Sequence, residues 1–201
     1  DPIKVSLEDG SAVWLNRHSQ LKYPKHFGAD KREVFLDGEA YFEVKKESAR
    51  PFFVHFDKSE VKVLGTTFNV KSFSHETDRY VTLLVGIVNV KHKEREVNMA
   101  PGEEIHIDKS GETKKYKADL AISMAWREKV FQFQQAPLTE VTAAIKRWYG
   151  VDIQIPDKQL HRRRVTIRIN QREKLYAVLS ALTESVGLKY KREGEGVVIS
   201  K

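Results

Sequence analysis

The 201 residues contain no cysteine, which excludes disulfides, thiolate nucleophiles and cysteine-ligated zinc but leaves the redox compartment open. No apolar run approaches the roughly 18 residues that cross a bilayer. Asp1 opens the chain without the basic and apolar regions of a secretory leader, so the chain as it stands is expected to be soluble. Phosphate-cradling loops of the G-x-G-x-x-G and G-x-x-x-x-G-K-[ST] kinds are missing, and so is the G-x-S-x-G elbow of a nucleophilic serine. His18, His26, His55, His75, His92, His106 and His161 stand at none of the spacings that put two imidazoles on one face. Glu39 and Glu43 point the same way from a strand, as a catalytic carboxylate pair would, but a solvated sheet face accounts for them. The expectation is a protein that is not an enzyme and holds neither metal nor cofactor.

What the chain does have is ordinary core material, 40% hydrophobic residues, and a net charge of +7 that is unevenly placed. Residues 1–125 hold 20 Lys and Arg against 20 Asp and Glu, whereas residues 126–201 hold 15 against 8. The whole excess lies in the last part. Such asymmetry marks separate modules, the basic one suited to an acidic partner.

The first part reads as strands throughout. Val5–Leu7 and Ala12–Leu15 flank Asp9-Gly10 as a hairpin would. The densest stretch is Arg32–Val54: Val34 and Leu36, then Ala40, Phe42 and Val44, alternate with polar residues on either side of Asp37-Gly38, which predicts a second hairpin. Phe52–Phe56 starts another strand after Pro51. Gly65 inside the strand pattern of residues 60–70 marks a bulge or a close backbone approach. Tyr80–Val90, with Gly86 at its middle, is two strands or one bent strand, and Pro101-Gly102 has the composition of a type II turn. No helical period lasts ten residues before position 118. This predicts an all-β domain over residues 1–117, a sandwich or a solenoid-like stack of hairpins. The polar run Lys109–Lys117 reads as linker, and residues 118–128 continue it with a short helix capped by Asp119.

From residue 129 the period changes. Phe131 and Phe133 alternate as a strand, and Leu138, Val141, Ile145 and Trp148 share the face of a helix with Pro137 as its expected first residue and Gly150 at its end. Val151, Ile153 and Ile155 follow as a strand. The pattern then recurs. At a shift of 37 residues Leu138 falls on Leu175, Val141 on Val178, Ile145 on Leu182 and Gly150 on Gly187, which predicts a tandem β-α-β domain over residues 129–201 closed by a strand at Val197–Ile199.

Three ordered blocks, LEDGSAVWLN (7–16), GEAYFEV with RPFFV (38–54) and VKVLGTTFNV (61–70), resemble the signature of the FecR family of membrane-anchored anti-sigma regulators. The C-terminal part resembles the small domain that commonly follows it, and behind that the secretin and TonB short N-terminal (STN) domain. The resemblance implies a periplasmic sensor region, with a cytoplasmic sigma-binding segment and one membrane-spanning helix upstream. It also implies a partner, the signalling domain of a TonB-dependent outer-membrane transporter, and a controlled extracytoplasmic-function sigma factor. Arg162-Arg163-Arg164 with Arg168 departs from the less basic pattern usual there, and Glu128-Lys129 before the strand departs from the glycine or asparagine on which the family often turns.

Two surfaces suggest themselves for docking. Val197, Val198 and Ile199 form a strand whose free edge would accept a partner's strand, unless it is already paired within the domain. Arg162, Arg163 and Arg164 form the most basic loop; with Trp148 or Tyr149 as a stacking platform they would suit a nucleic acid, but a solvated charged loop is the simpler reading and no nucleic-acid partner is expected. The alternative function is an extracytoplasmic module for glycan or cell-wall polymer, using exposed aromatics such as Trp14 and Tyr41.

Overall fold

The structure, a computed structural model, describes residues 2–201. Twelve strands make up the first of its two compact units, 1–123, and the second unit comprises 124–201. Strand β4 (Arg32–Glu43) organises the first unit because it runs through two hydrogen-bonded neighbourhoods. Its N-terminal half pairs with β3 (Gln20–Lys22) and, in parallel, with β5 (Phe52–Phe56). Its C-terminal half pairs with β2 (Ala12–Leu15) and β7 (Thr67–Ser72). On the β5 side the sheet continues through β6 (Ser59–Val63), β9 (Val88–His92) and β10 (Arg95–Met99). On the β7 side it continues through β8 (Arg79–Val85), β11 (Glu103–Ile107) and β12 (Thr113–Lys117), while β1 (Ile3–Ser6) lies outside β2. The result is one curled sheet of two halves around a common core.

The hairpin predicted at Asp37-Gly38 is therefore not formed. Apolar side chains at 34, 36, 40 and 42 all face the core, so the alternation stays in phase across Gly38 and the strand bends there instead of reversing. At Gly38 φ is +131°, and a Cβ built there would lie 2.4 Å from the Ser19 Cβ and Oγ and 2.6 Å from its Cα. No other residue type fits. The Asp9-Gly10 hairpin, the Pro101-Gly102 turn and the division of 80–90 into β8 and β9 form as expected. At Gly65 a Cβ would come within 2.5 Å of the Lys46 Cα, a close approach of two chains. The stretch read as linker contains β12, an edge strand paired with β11. Asp119 Oδ1 then accepts from the Ala121 and Ile122 amides and caps α1 (Leu120–Met124).

The core of this unit is aromatic and β-branched. Phe42 stacks on Phe68 at 4.9 Å and meets Phe52 edge-on at 6.5 Å, and all three are fully buried. Each such side chain stabilises the fold by about 1.5–3 kcal/mol through burial alone.

In the second unit, β13 (Val130–Pro137), α2 (Leu138–Tyr149) and β14 (Ile153–Gln154) are followed by β15 (Arg164–Asn170), α3 (Leu175–Val186), β16 (Lys189–Glu193) and β17 (Gly196–Ser200). The two helices are related by the 37-residue shift read from the sequence, and each ends on a left-handed glycine, Gly150 or Gly187. Pro137 stands at the N-cap and Leu138 is the first helical residue. The repeats interlock: β13 pairs with β15, and β14 pairs with β17, which in turn pairs with β16. Neither repeat has enough surface to cover its own helix, and exchange of strands places Val141, Ile145, Val178 and Leu182 in one core.

Candidate partner-docking surface

The chemistry-bearing residues of the first unit are tied up in holding it together. Arg32, fully buried, donates from Nη1 to Asp9 Oδ2 (2.7 Å) and to the Lys45 carbonyl (3.0 Å), and from Nε to the Arg50 carbonyl (2.9 Å). Its guanidinium also faces the Phe52 ring at 5.4 Å. Ser11 donates its hydroxyl and amide to Asp9 and accepts from the Lys45 amide. Burial pushes the Asp9 carboxyl up, but the Ser11 donors and the Arg32 guanidinium outweigh it and hold the group below its ordinary value. This network explains why Asp9, Ser11 and Arg32 accompany the strand pattern. Sequence reading passed over it because nothing in one dimension joins position 9 to position 32.

Glu39 is not on a solvated face. It is buried, and its carboxylate accepts from the Asn16 and Asn69 side-chain amides at 2.8 and 3.2 Å, while Glu43 is exposed. Tyr41 is likewise buried and meets Trp14 edge-on, and Lys4 lies 5.0 Å from the Trp14 ring centre, so these are not exposed platforms for a polymer. No group of three or more histidines or carboxylates that could hold a metal ion gathers among the described residues. Ser59 Oγ and His92 Nδ1 are 2.8 Å apart, but both residues are buried and His92 Nε2 has no hydrogen-bond partner among the described residues. A catalytic base needs a group on that second nitrogen to orient it. Burial, reinforced by Lys93, pushes the His92 imidazole down, keeping it neutral.

In the second unit the two predicted docking elements fare differently. β17 is the central strand of its sheet: Val197 and Val198 pair with Ile153 and Gln154 on one side, and the whole strand pairs with β16 on the other. Its hydrogen-bonding edges are consumed, so strand addition at Val197–Ile199 is ruled out; Val197 and Ile199 are core residues. The open edges of this sheet are β14 and β16, each of which pairs only with β17 among the described residues, and β16 is the longer. It carries Lys189, Lys191 and Arg192, all exposed, and beside it Tyr190 stacks with Tyr176 at 6.3 Å, the latter 46% exposed. The alternation Leu188, Tyr190 signalled this strand in the sequence, but not its place at the rim.

The arginine run is exposed yet partly structural. Arg163 Nη2 donates to the Val186 carbonyl at the C-terminus of α3, where a cation complements the helix dipole, and Arg164 Nη1 donates to the Gln135 carbonyl, both at 2.9 Å. Arg162 is exposed. Trp148 Nε1 donates to the Gln171 carbonyl and Tyr149 Oη to the Glu173 carbonyl, so both rings are anchored within the unit.

The first unit is thus a curled β sheet and the second an interlocked β-α-β pair with a basic strand edge. Comparison with known proteins makes this specific. Residues 2–89 match the model of the FecR protein family, and residues 130–199 match that of the FecR C-terminal domain. Two crystal structures of a provisionally assigned anti-sigma factor from Parabacteroides distasonis superpose with TM-scores of 0.94 and 0.93 at 30% identity, covering 100% of this chain and 95% and 94% of theirs. None of the curated proteins matches the sequence. The chain belongs to the FecR family of anti-sigma factors.

Proposed function

We propose that this chain is the periplasmic sensor region of a membrane-anchored anti-sigma factor, which relays the state of a TonB-dependent outer-membrane transporter to an extracytoplasmic-function sigma factor. The observation that carries the reading is the occurrence of both family domains, in order, on one chain that matches an anti-sigma factor over its whole length. Residues 1–117 form the FecR domain, 118–128 the connection and 129–201 an STN-like docking domain. No helix among the described residues is long and apolar enough to cross a membrane, so in this reading the anchor is a separate segment.

The docking surface is the open edge of β16, and the exposed run Arg162, Arg163 and Arg164 is a second candidate for contact. Lys189, Lys191 and Arg192 keep this edge from pairing with copies of itself, and the same charges admit an acidic strand. Tyr176 and Tyr190 supply the aromatic anchors that dominate such interfaces. The test is calorimetric titration of the chain with the isolated signalling domain of its transporter. One-to-one binding that weakens with salt, and that Lys191→Glu with Arg192→Glu reduces at least about tenfold, is expected. Binding unaffected by these substitutions would move the docking site elsewhere, and absence of binding would remove the transporter as partner.

A further inference from the structure

The outer face of the β5–β6–β9 half-sheet carries a feature that the sensor role does not use. Phe35 is 53% exposed in mid-sheet, and its ring stacks on His55 at 4.8 Å, which stacks in turn beside Phe53 at 6.3 Å. Next to this platform, between the tips of the β5–β6 and β9–β10 hairpins, lies an open recess of about 530 Å³, within the size range of small-ligand sites. Its lining includes Phe35, Asp57, Ser59, Glu60, Lys58 and Lys91, with Lys93 at the rim. Both hairpin tips place a non-glycine residue in the left-handed region, Asp57 at φ 46° and Lys93 at φ 53°. The tight turns of the two hairpins require this conformation, and it sets the Asp57 and Lys93 side chains at the hairpin tips.

The charges around the recess are unequal in availability. Asp57 is bonded to Arg79 at 2.9 Å and Glu60 lies 3.4 Å from His55, whereas Lys58, Lys91 and Lys93 are exposed and have no ion pair among the described residues. An anion is therefore favoured. A flat aromatic face wants a ring, and the carboxylate oxygens of Asp57 and Glu60, which retain free lone pairs, want hydroxyl protons. A simple aromatic acid brings the ring and the charge but no hydroxyls for these acceptors. A nucleotide brings a phosphate of up to two negative charges, which Asp57 and Glu60 oppose more strongly than the single charge of a sugar acid.

We infer that this recess binds an acidic carbohydrate, a uronic-acid unit whose C–H face lies on Phe35 and whose carboxylate is held by Lys91 with Lys58 and Lys93. The site belongs to the first unit and is independent of the docking edge in the second.

The experiment is calorimetry of the whole chain with trimers of galacturonate and mannuronate and with a glucuronate-containing tetrasaccharide, each at low and high salt. Saturable binding of at least one, weakened by salt and lost on methyl esterification of its carboxylates, is expected. Phe35→Ala and Lys91→Gln should each weaken it by about tenfold or more, with the two-state unfolding transition retained and thermal melting lowered by at most a few degrees, and Tyr176→Ala should leave it unaltered. No saturable binding of any of the three overturns the inference. So does equal affinity for the methyl ester, indifference to Phe35→Ala, or preferential binding of benzoate or adenosine monophosphate used as competitors.

Discussion

Arg32 and Asp9 are two opposite charges that folding removes from water, with side chains 0% and 1% exposed. Taking either partner away leaves the other buried and uncompensated, which costs about 3–5 kcal/mol, whereas removing both together is far milder. Asp9→Ala should therefore lower the urea-unfolding free energy of the first unit by that amount, and adding Arg32→Met should restore a large part of it. Additive losses in this cycle would show that the pair is not coupled. Protonation makes the same point. The folded Asp9 resists a proton that the unfolded chain accepts near pH 3.9, so its stabilisation is complete above that pH and fades as the pH falls through the depressed folded value. Asp9→Asn should remove this part of the acid dependence, read as a flatter stability profile below about pH 4.

At the scale of elements, β4 shows how a sequence pattern was both informative and misread. Period-two alternation correctly gave strands on both sides of Asp37-Gly38, and Asp-Gly is the strongest hairpin signal available. The discriminating sign was the unbroken even phase of Val34, Leu36, Ala40, Phe42 and Val44, which a single continuous strand satisfies. Gly38 is needed for the bend and for the approach of Ser19, so Gly38→Ala should destabilise by about 3 kcal/mol or more through strain and overpacking combined. Gly150→Ala, at a left-handed cap where a new Cβ meets nothing within 4 Å, should cost only about 1–2 kcal/mol. Chemical denaturation of the two variants compares them directly; equal losses would mean that the contact with Ser19 relaxes freely. In the second unit the helices were legible, to within a residue at the start of the first, because a 3.6-residue stripe and a terminal glycine lie within a few turns of chain. The edge or centre position of β16 and β17 was not, since each is a short apolar or mixed run whose neighbours come from far along the chain.

At the scale of the molecule, each unit has its own core: Phe42, Phe68 and Ile105 belong to one, Leu138, Ile145 and Leu182 to the other. Their charge balances differ as well, zero up to residue 125 and +7 beyond it. Two surfaces of opposite architecture result, a basic strand edge suited to a protein and an aromatic recess suited to a small acid, and they are tested separately by substitutions at Lys191 and Arg192 on one side and at Phe35 on the other.

The sequence by itself determined the family, the all-β and β-α-β halves, the helix limits and the charge asymmetry, because these rest on local periodicity, on caps and turns of a few residues, and on composition. Only the tertiary structure decided that Asp9 neutralises Arg32, that β4 bends at Gly38, that Glu39 and Tyr41 are buried, and that β16 rather than β17 presents the open edge. Each of these depends on pairings between strands distant in the chain, where the hydrogen-bond register and the shape of the enclosed core select one partner among many that local pattern treats alike.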